Sequence, residues 1–392
     1  MANRKLKVGF IDYVLDPKLP GRSGLSDIVW DLAENLAEFG HEVHIFGPYS
    51  ASEGLDQRVS VHAIPIPPMG MRNVVGNLWL LNRAVDAVRP FGLDIIHVPE
   101  YMSSAVFAWR RCPVPVVLTV PGNIYHRLSV PSGSGYEWHY AQILKLAAKK
   151  SARKCAAIVA ISKEMKSWWE KTGSSPERTP YIPLGVNSNR FHFVEGARDL
   201  LREEINARKD GLMFLYVGRF SQEKGLIDLV DAISNIKSNL TSAQFHLVGD
   251  GPLHDRLQNQ ISDTNLLSIV HIRPWVSQQD LTLWYSAADA LILPSYTEGM
   301  SRTMGEALAC GTPVIGSDIA GISDHIQNGV NGYKYEPGDV AGLTKILDNI
   351  IRAPNSIRSL RVNALNYAKT ILYWPDITEK IVKKVYIPIL EV

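Results

Sequence analysis

Two glutamates with seven residues between them, Glu298 and Glu306, stand in "PSYTEGMSRTMGEALACGTPVI" (294–315). Pro294 and Gly299 mark a turn after an apolar run. The residues that follow read as a helix starting near Ser301, with Ser301 or Thr303 as its cap. Free amides at such a start form an anion site. Glu306 falls about one turn into the helix and Glu298 falls before it. A phosphate held at those amides therefore has a carboxylate on either side. Carboxylates accept hydrogen bonds from sugar hydroxyls, and a nucleotide sugar carries hydroxyls at both ends of its diphosphate. Alone, the pair is better explained as a capped surface helix with solvated glutamates.

A second stretch changes that weighing. In "YVGRFSQEKGL" (216–226), Arg219 ends a strand and Lys224 opens a helix, five residues apart. Two cations at a strand end can grip a diphosphate, arginine bidentately and lysine as a point charge. A solvated basic pair is the common alternative. The order is not that of a P-loop, which needs GxxxxGK[ST].

The elements that must position these residues follow from apolar runs alternating with helical patterns. "KVGFIDYV" (7–14), "EVHIFGP", "VSVHAIPIP", "DIIHVPE", "VPVVLTVPG", "AAIVAIS" and "PYIPLG" read as strands. Leu25, Ile28, Val29, Leu32 and Leu36 keep helical spacing, with Gly40 as the stop. Near residue 186 the pattern breaks into "NSNRFHFVEGARD" and then restarts. "LMFLYVGR", "AQFHLVGDG", "SIVHIRPWV", "ALILPS", "TPVIGSD" and "NGYKYEP" are the later strands. Continuous apolar runs suit parallel sheets covered on both faces. The expectation is an α/β protein of two doubly wound domains, 1–186 and 187–373, facing across a cleft. A last helix is read over 374–392, its place not set by the pattern. In such sheets ligands bind at the carboxyl ends of the strands. "PGRSGLS", "VGRFSQEKG" and "PSYTEGMSRT" all fall there.

Composition narrows the function classes. A net charge of +2 over 392 residues gives no domain-wide basic excess, so nucleic acid is not an expected partner. Cys112, Cys155 and Cys310 stand far apart with no CxxC, which argues against disulfides and zinc and for a reducing compartment. No apolar run approaches the length of a spanning helix, and the N-terminus lacks the apolar core of a signal peptide. A cytoplasmic protein is expected. The stretch "WHYAQILKLAAKKSARKC" (138–155) qualifies this. Lys145, Lys149, Lys150, Arg153 and Lys154 face no acidic residue there, and Trp138, Tyr140, Ile143, Leu144 and Leu146 add apolar bulk. Such a helix offers a peripheral contact with an anionic inner-membrane surface, or forms a solvated basic face over a buried stripe. His41, His44 and His97 flank strands and read as packed or hydrogen-bonded rather than metal-ligating. Met300 and Met304 read as core or pocket wall.

In combination, "VGR…EKG", "HLVGDGPL", "ADALILPSYTEG…GEALACGTPVI" and "IPLGVNSNRF" resemble the retaining glycosyltransferases of the GT-B fold, family-4 type. The likeness covers nearly the whole chain and is strongest over 212–339. The spacing of Glu298 and Glu306 is similar to that family's EX7E motif. The resemblance implies that Arg219 and Lys224 bind the donor diphosphate. It implies that Glu306 holds the ribose, that Glu298 contacts the hexose, and that the segment Gly299, Met300, Ser301, Arg302 and Thr303 contacts sugar or phosphate. From the other domain, the "GRSG" loop with Ser23 and Gly24 would approach the diphosphate. It implies that the last helix, around Trp374, crosses back to the first domain, and it implies no cofactor and no bound metal. UDP-glucose is the first donor and GDP-mannose the second, with a carbohydrate or lipid-linked acceptor in polysaccharide or envelope glycan synthesis.

Two positions depart from the pattern. "TVPG" places Pro121 where the family often has a histidine, with His126 nearby. "VHIRPWV" places Pro274, after Arg273, where the family usually has glycine, at a turn near the nucleotide base. The competing functions are an epimerase or phosphorylase on the same fold, and a non-catalytic nucleotide-sugar-binding subunit. A pyridoxal lysine motif is not apparent. A dinucleotide dehydrogenase is disfavoured because His254 stands where GxGxxG needs glycine, and "PSGSGY" is not the GxSxG of a serine hydrolase.

Overall fold

The computed structural model describes residues 4–12, 24–47, 58–65, 74–99, 105–107, 110, 112, 114–120, 135–205, 210–239 and 243–391. The chain divides into two compact units, Met1–Gly185 with Trp374–Val392, and Val186–Tyr373.

The first unit holds β1 (Lys7–Ile11), β2 (Glu42–Gly47), β3 (Val59–Ala63), β4 (Ile95–Val98), β5 (Val116–Thr119) and β6 (Ala157–Val159). They pair in the order β3-β2-β1-β4-β5-β6, all parallel. Every residue of β4 and β5 is buried, as expected of strands covered on both faces. Its helices are α1 (Gly24–Glu38), α2 (Val74–Val88), α3 (Gly135–Lys154) and α4 (Lys163–Thr172). Ile28, Val29, Leu32 and Leu36 of α1 are buried, and Gly40 ends the helix in the left-handed region at φ 86°.

The run "PYIPLG" does not form a strand. Only a bridge between Ala160 and Tyr181 is made. Pro180 and Pro183 have no amide hydrogen to donate, so a ladder cannot extend through them. β1 is shorter than expected, ending at Ile11, and residues 13 and 14 lie outside the described residues.

The second unit repeats the winding. Here β7 (Leu212–Val217), β8 (Ala243–Val248), β9 (Val270–Arg273), β10 (Ala290–Leu293), β11 (Val314–Ser317) and β12 (Gly332–Tyr335) pair in the order β12-β11-β10-β7-β8-β9. Its helices are α5 (Ala197–Glu204), α6 (Leu226–Asn235), α7 (His254–Asp263), α8 (Gln278–Ala287), α9 (Arg302–Ala309), α10 (Val340–Arg352), α11 (Asn355–Arg358) and α12 (Arg361–Tyr367). All six residues of β7 are buried. Phe214 stacks on Phe245 of the neighbouring strand at 4.7 Å. Leu226, Leu229, Val230 and Ile233 of α6 close over the same core. Each such side chain contributes roughly 1.5–3 kcal/mol on burial. That keeps the sheet rigid beneath the loops at its carboxyl end.

The C-terminal segment belongs to the first unit. There α13 (Trp374–Ile381) packs on α1. Gly185 has the Trp374 ring where a Cβ would stand, 2.2 Å away, so only glycine fits. Beyond α13, Tyr386 and His97 Nδ1 share a hydrogen bond of 2.6 Å, and His97 Nε2 bonds Thr119 Oγ1 at 2.7 Å. His41 accepts from the Leu6 amide, and His44 bonds His62 and Glu42. These histidines are hydrogen-bonded, as their flanking positions suggest.

Candidate active site

The strand order of the second unit reverses between β10 and β7, which are paired neighbours. A crevice opens at the carboxyl ends of strands at such a point. The loops after these two strands carry the residues singled out above.

After β7 the chain passes Gly218 and the exposed Arg219, then makes a 3₁₀ turn over Gln222–Lys224. Lys224 thus closes this turn rather than opening α6, which starts two residues later. The cause is Gly225. Its φ is 63°, and a Cβ there would lie 2.0 Å from the Pro294 carbonyl oxygen. The backbone at 225 is pressed against the loop after β10. The Tyr296 amide donates to the Glu223 carbonyl at 2.9 Å, fastening the same two loops. Lys224 Nζ then donates to Glu298 Oε1 at 2.6 Å, and Ser295 Oγ donates to the same oxygen at 3.0 Å. The Glu298 side chain is only 13% exposed.

Past Glu298, the carbonyl of buried Gly299 packs against Gly321, where a Cβ would stand 2.3 Å from that oxygen. Met300 and Ser301 are buried, and Met304 is fully so. Ser301 caps α9, its hydroxyl accepting from the Met304 amide at 3.3 Å and bonding Thr303 Oγ1 at 3.1 Å. The amides of Arg302 and Thr303 open the helix and need acceptors from outside it. Glu306, buried at 8% exposure, accepts from the Tyr285 hydroxyl at 2.9 Å. Arg302 lies one turn back, 3.7 Å from the other carboxylate oxygen. Burial, together with Glu306, pushes the Tyr285 phenol well above its usual value, so it stays protonated and donates.

The loops after β7, β8 and β9 stand in a row. The Gly218 amide donates to Val248, Phe220 to Asp250, and Gly249 to Arg273. A cavity of about 500 Å³ at the end of this row is lined by Asp250, His254, Arg273, Pro274 and Trp275. The arrangement offers two cations and the start of a helix for a diphosphate, with carboxylates on either side.

Residues 22–190 match the family model described as Glycosyltransferase Family 4, and residues 197–369 match the one described as Glycosyl transferases group 1. The chain is a GT-B glycosyltransferase of this type. Alpha-monoglucosyldiacylglycerol synthase of Acholeplasma laidlawii is 24% identical over 88% of this chain and 89% of its own. D-inositol 3-phosphate glycosyltransferase 1 of Catenulispora acidiphila is 28% identical over 88% and 86%. Among solved structures, sucrose-phosphate synthase of Thermosynechococcus elongatus superposes with a TM-score of 0.82 at 23% identity, over 97% of this glycosyltransferase and 98% of that chain. The structural likeness speaks for the fold.

The structure gathers Arg219, Lys224, Glu298 and the segment Gly299–Thr303 at adjacent loops of one sheet, with Glu306 on the helix that follows. Arg273 and Pro274 lie two loops away. Gly24 is the first residue of α1, while Ser23, Pro121 and His126 lie outside the described residues. Sequence reasoning missed Ser295 and Tyr285. For Tyr285 a signal existed: a tyrosine on the buried stripe of a helix needs a partner for its hydroxyl.

Proposed function

We propose that this glycosyltransferase moves a hexose from a nucleoside diphosphate sugar to a glycan or lipid-linked acceptor, with retention at the anomeric carbon and without a metal. UDP-glucose is the first donor and GDP-mannose the second. The observation that carries the reading is the Lys224–Glu298 contact beside Arg219, at the strand-order reversal and before the Ser301-capped helix.

In the free site Lys224 and Glu298 neutralise each other. A donor gives each a better partner, the diphosphate for Lys224 and a hexose hydroxyl for Glu298. Arg219 adds a guanidinium suited to two phosphate oxygens at once. As the bond between sugar and diphosphate breaks, negative charge grows on the leaving oxygens. Fixed cations stabilise charge where it develops. Glu306, held by Tyr285, accepts from the ribose hydroxyls.

The names of the relatives support the donor class. Anabaena HepE, of similar fold, was solved with UDP and glucose. The Acholeplasma relative is a glucosyldiacylglycerol synthase by name, which supports a lipid-linked acceptor. The same reading includes a peripheral contact with anionic lipid through α3, at the cytoplasmic face of a membrane. Among the described residues no helix is long and apolar enough to cross one. Incubation with a panel of nucleotide sugars, with nucleoside diphosphate release and product anomer measured, tests the reading. Release from no sugar nucleotide overturns it, and an inverted product overturns retention.

A further inference from the structure

Near the end of β7 one buried hydroxyl reaches the turn that carries Arg219. Tyr216 is 1% exposed, and its ring stands 6.2 Å from that of Phe220 in the core enclosed by β7 and α6. The Tyr216 hydroxyl donates to the Arg219 carbonyl at 3.0 Å. A Cβ on Gly218 would stand 2.8 Å from the tyrosine oxygen, so the glycine leaves room for the chain to fold back over the ring. Burial, with Glu298 and Glu223 nearby, pushes the phenol well above its usual value. The hydroxyl therefore keeps its proton and spends it on the carbonyl.

That carbonyl accepts a second bond, from the Ser221 amide at 3.1 Å, so both of its lone pairs are used. The flanking amides are engaged too. Gly218 donates to the Val248 carbonyl at 3.1 Å and Phe220 to that of Asp250 at 2.9 Å. Gly251 presses on the Phe220 backbone from the next loop, where a Cβ would lie 2.6 Å from the carbonyl oxygen. The main chain at 219 is pinned from both sides, but the side chain is not. Arg219 is exposed, and among the described residues its guanidinium makes no hydrogen bond or ion pair. Lys224 differs, being held by Glu298. A cation with no partner of its own takes its placement from its backbone, and a misplacement of about 1 Å can cost on the order of 10²-fold in rate. A buried tyrosine needs an acceptor wherever it stands. Phenylalanine would fill the same space, so packing asks only for the ring.

We propose that Tyr216 is a positioning residue for transfer. Its hydroxyl fixes the Arg219 peptide, and through it the direction from which the guanidinium meets the leaving diphosphate. The inference rests on the donor reading above and adds to it a residue that touches neither sugar nor phosphate. Its effect grows as charge develops on the leaving oxygens, so it acts on kcat more than on KM.

The test is a double-mutant cycle on the full chain, with the sugar nucleotide that wild type turns over. Tyr216→Phe keeps the ring and removes the hydroxyl. Its kcat should fall about five-fold, the scale of one neutral hydrogen bond, with a smaller change in donor KM. In the Arg219→Ala background the same substitution should cost nothing further, because the group it aims is gone. Should Tyr216→Phe not fold, Gly218→Ala, whose methyl displaces the hydroxyl, serves the same cycle. An unchanged kcat overturns the inference. So does a loss that persists at full size in Arg219→Ala, which makes Tyr216 a packing residue only. A wild type that releases nucleoside diphosphate from no sugar nucleotide overturns the donor reading itself, and this inference with it.

Discussion

Lys224 Nζ donates to Glu298 Oε1 at 2.6 Å, so the two side chains proposed to take different parts of a donor hold each other. Gly225 against Pro294 and the Tyr296–Glu223 backbone bond set this distance. The pair keeps a lysine and a carboxylate in place without either being strongly solvated. On the proposed reading, a sugar diphosphate offers each a better partner and separates them.

Glu298→Gln keeps the shape but loses the charge. Transfer should fall strongly while the free nucleoside diphosphate still binds nearly as in wild type, since the proposed partner of Glu298 is the hexose. Glu306→Ala should instead weaken the nucleoside diphosphate itself. Calorimetry with the free diphosphate separates the two, and identical behaviour of both variants would sink the division of roles.

Arg219→Ala or Lys224→Ala should each lower kcat on the order of 10²-fold, the scale of a lost charge stabiliser at a developing anion. Activity should survive EDTA, since these cations meet the charge of the leaving diphosphate. Normal turnover in either variant, or an enzyme silenced by chelation and restored by a metal, counts against this account.

Most strands of both sheets were legible because strands covered on both faces must read as unbroken apolar runs, whereas their order in each sheet was not. "LMFLYV" and "VVLT" leave little else to choose. The two glutamates were legible by their spacing, and Ser301 by its place before a helical run. What was hidden depends on contacts distant in sequence. Glu306 is buried because Tyr285, 21 residues back, supplies a donor, and the periodicity of "RTMGEALA" does not encode that partner. Lys224 looked like the first residue of a helix. A glycine forced left-handed by the Pro294 carbonyl, 69 residues on, delays the helix by two residues. "PYIPLG" carried strand-like side chains, but its prolines remove the amides a ladder needs.

Tyr285→Phe removes one hydroxyl from a fully buried ring. Glu306 then loses that donor, while Arg302 stands 3.7 Å from its other oxygen. A hydrogen bond to a charged group contributes about 1.5–3 kcal/mol. The donor KM should therefore rise roughly ten-fold or more while kcat changes less. Paired with Glu306→Gln in a double-mutant cycle, the two effects should not add. Additive losses would mean that Tyr285 acts only on packing.

His97 is buried, and burial lowers its pKa to about 3. The unfolded chain binds that proton near 6.5, the folded chain only near 3. Stability is therefore greatest above pH 6.5 and falls as pH drops from there toward 3. His246, also lowered by burial to about 3, acts in the same window. Each such group contributes up to about 1.4 kcal/mol per pH unit. Urea unfolding between pH 4 and 6 should show this slope, and His97→Gln should flatten it by about one proton while lowering stability throughout. An unchanged slope would mean that His97 already accepts a proton in the folded chain.

The last expectation concerns α3. Leu144, Ala147, Ala148, Ser151 and Ala152 are buried, so the helix already has an inward stripe. Leu144 is thus unavailable for an outside contact, contrary to its reading from sequence, and the side chains of Trp138 and Tyr140 lie outside the described residues. Ile143 at 46% and Leu146 at 68% exposure remain on the surface with Lys145, Lys149, Lys150, Arg153 and Lys154. Five exposed cations around two apolar side chains suit an anionic lipid surface, where each basic residue contributes about 1 kcal/mol before salt screens it. The full-length protein should sediment with anionic vesicles at low salt and not with neutral ones. Raising the salt beyond a few hundred millimolar shortens the screening length to under about 8 Å and should release it. Lys149→Glu with Lys150→Glu should abolish binding, and Leu146→Ser should weaken it without changing the salt dependence. If the protein stays in the supernatant with anionic vesicles at low salt, α3 is a solvated basic face over its buried stripe and the acceptor reaches the enzyme by another route.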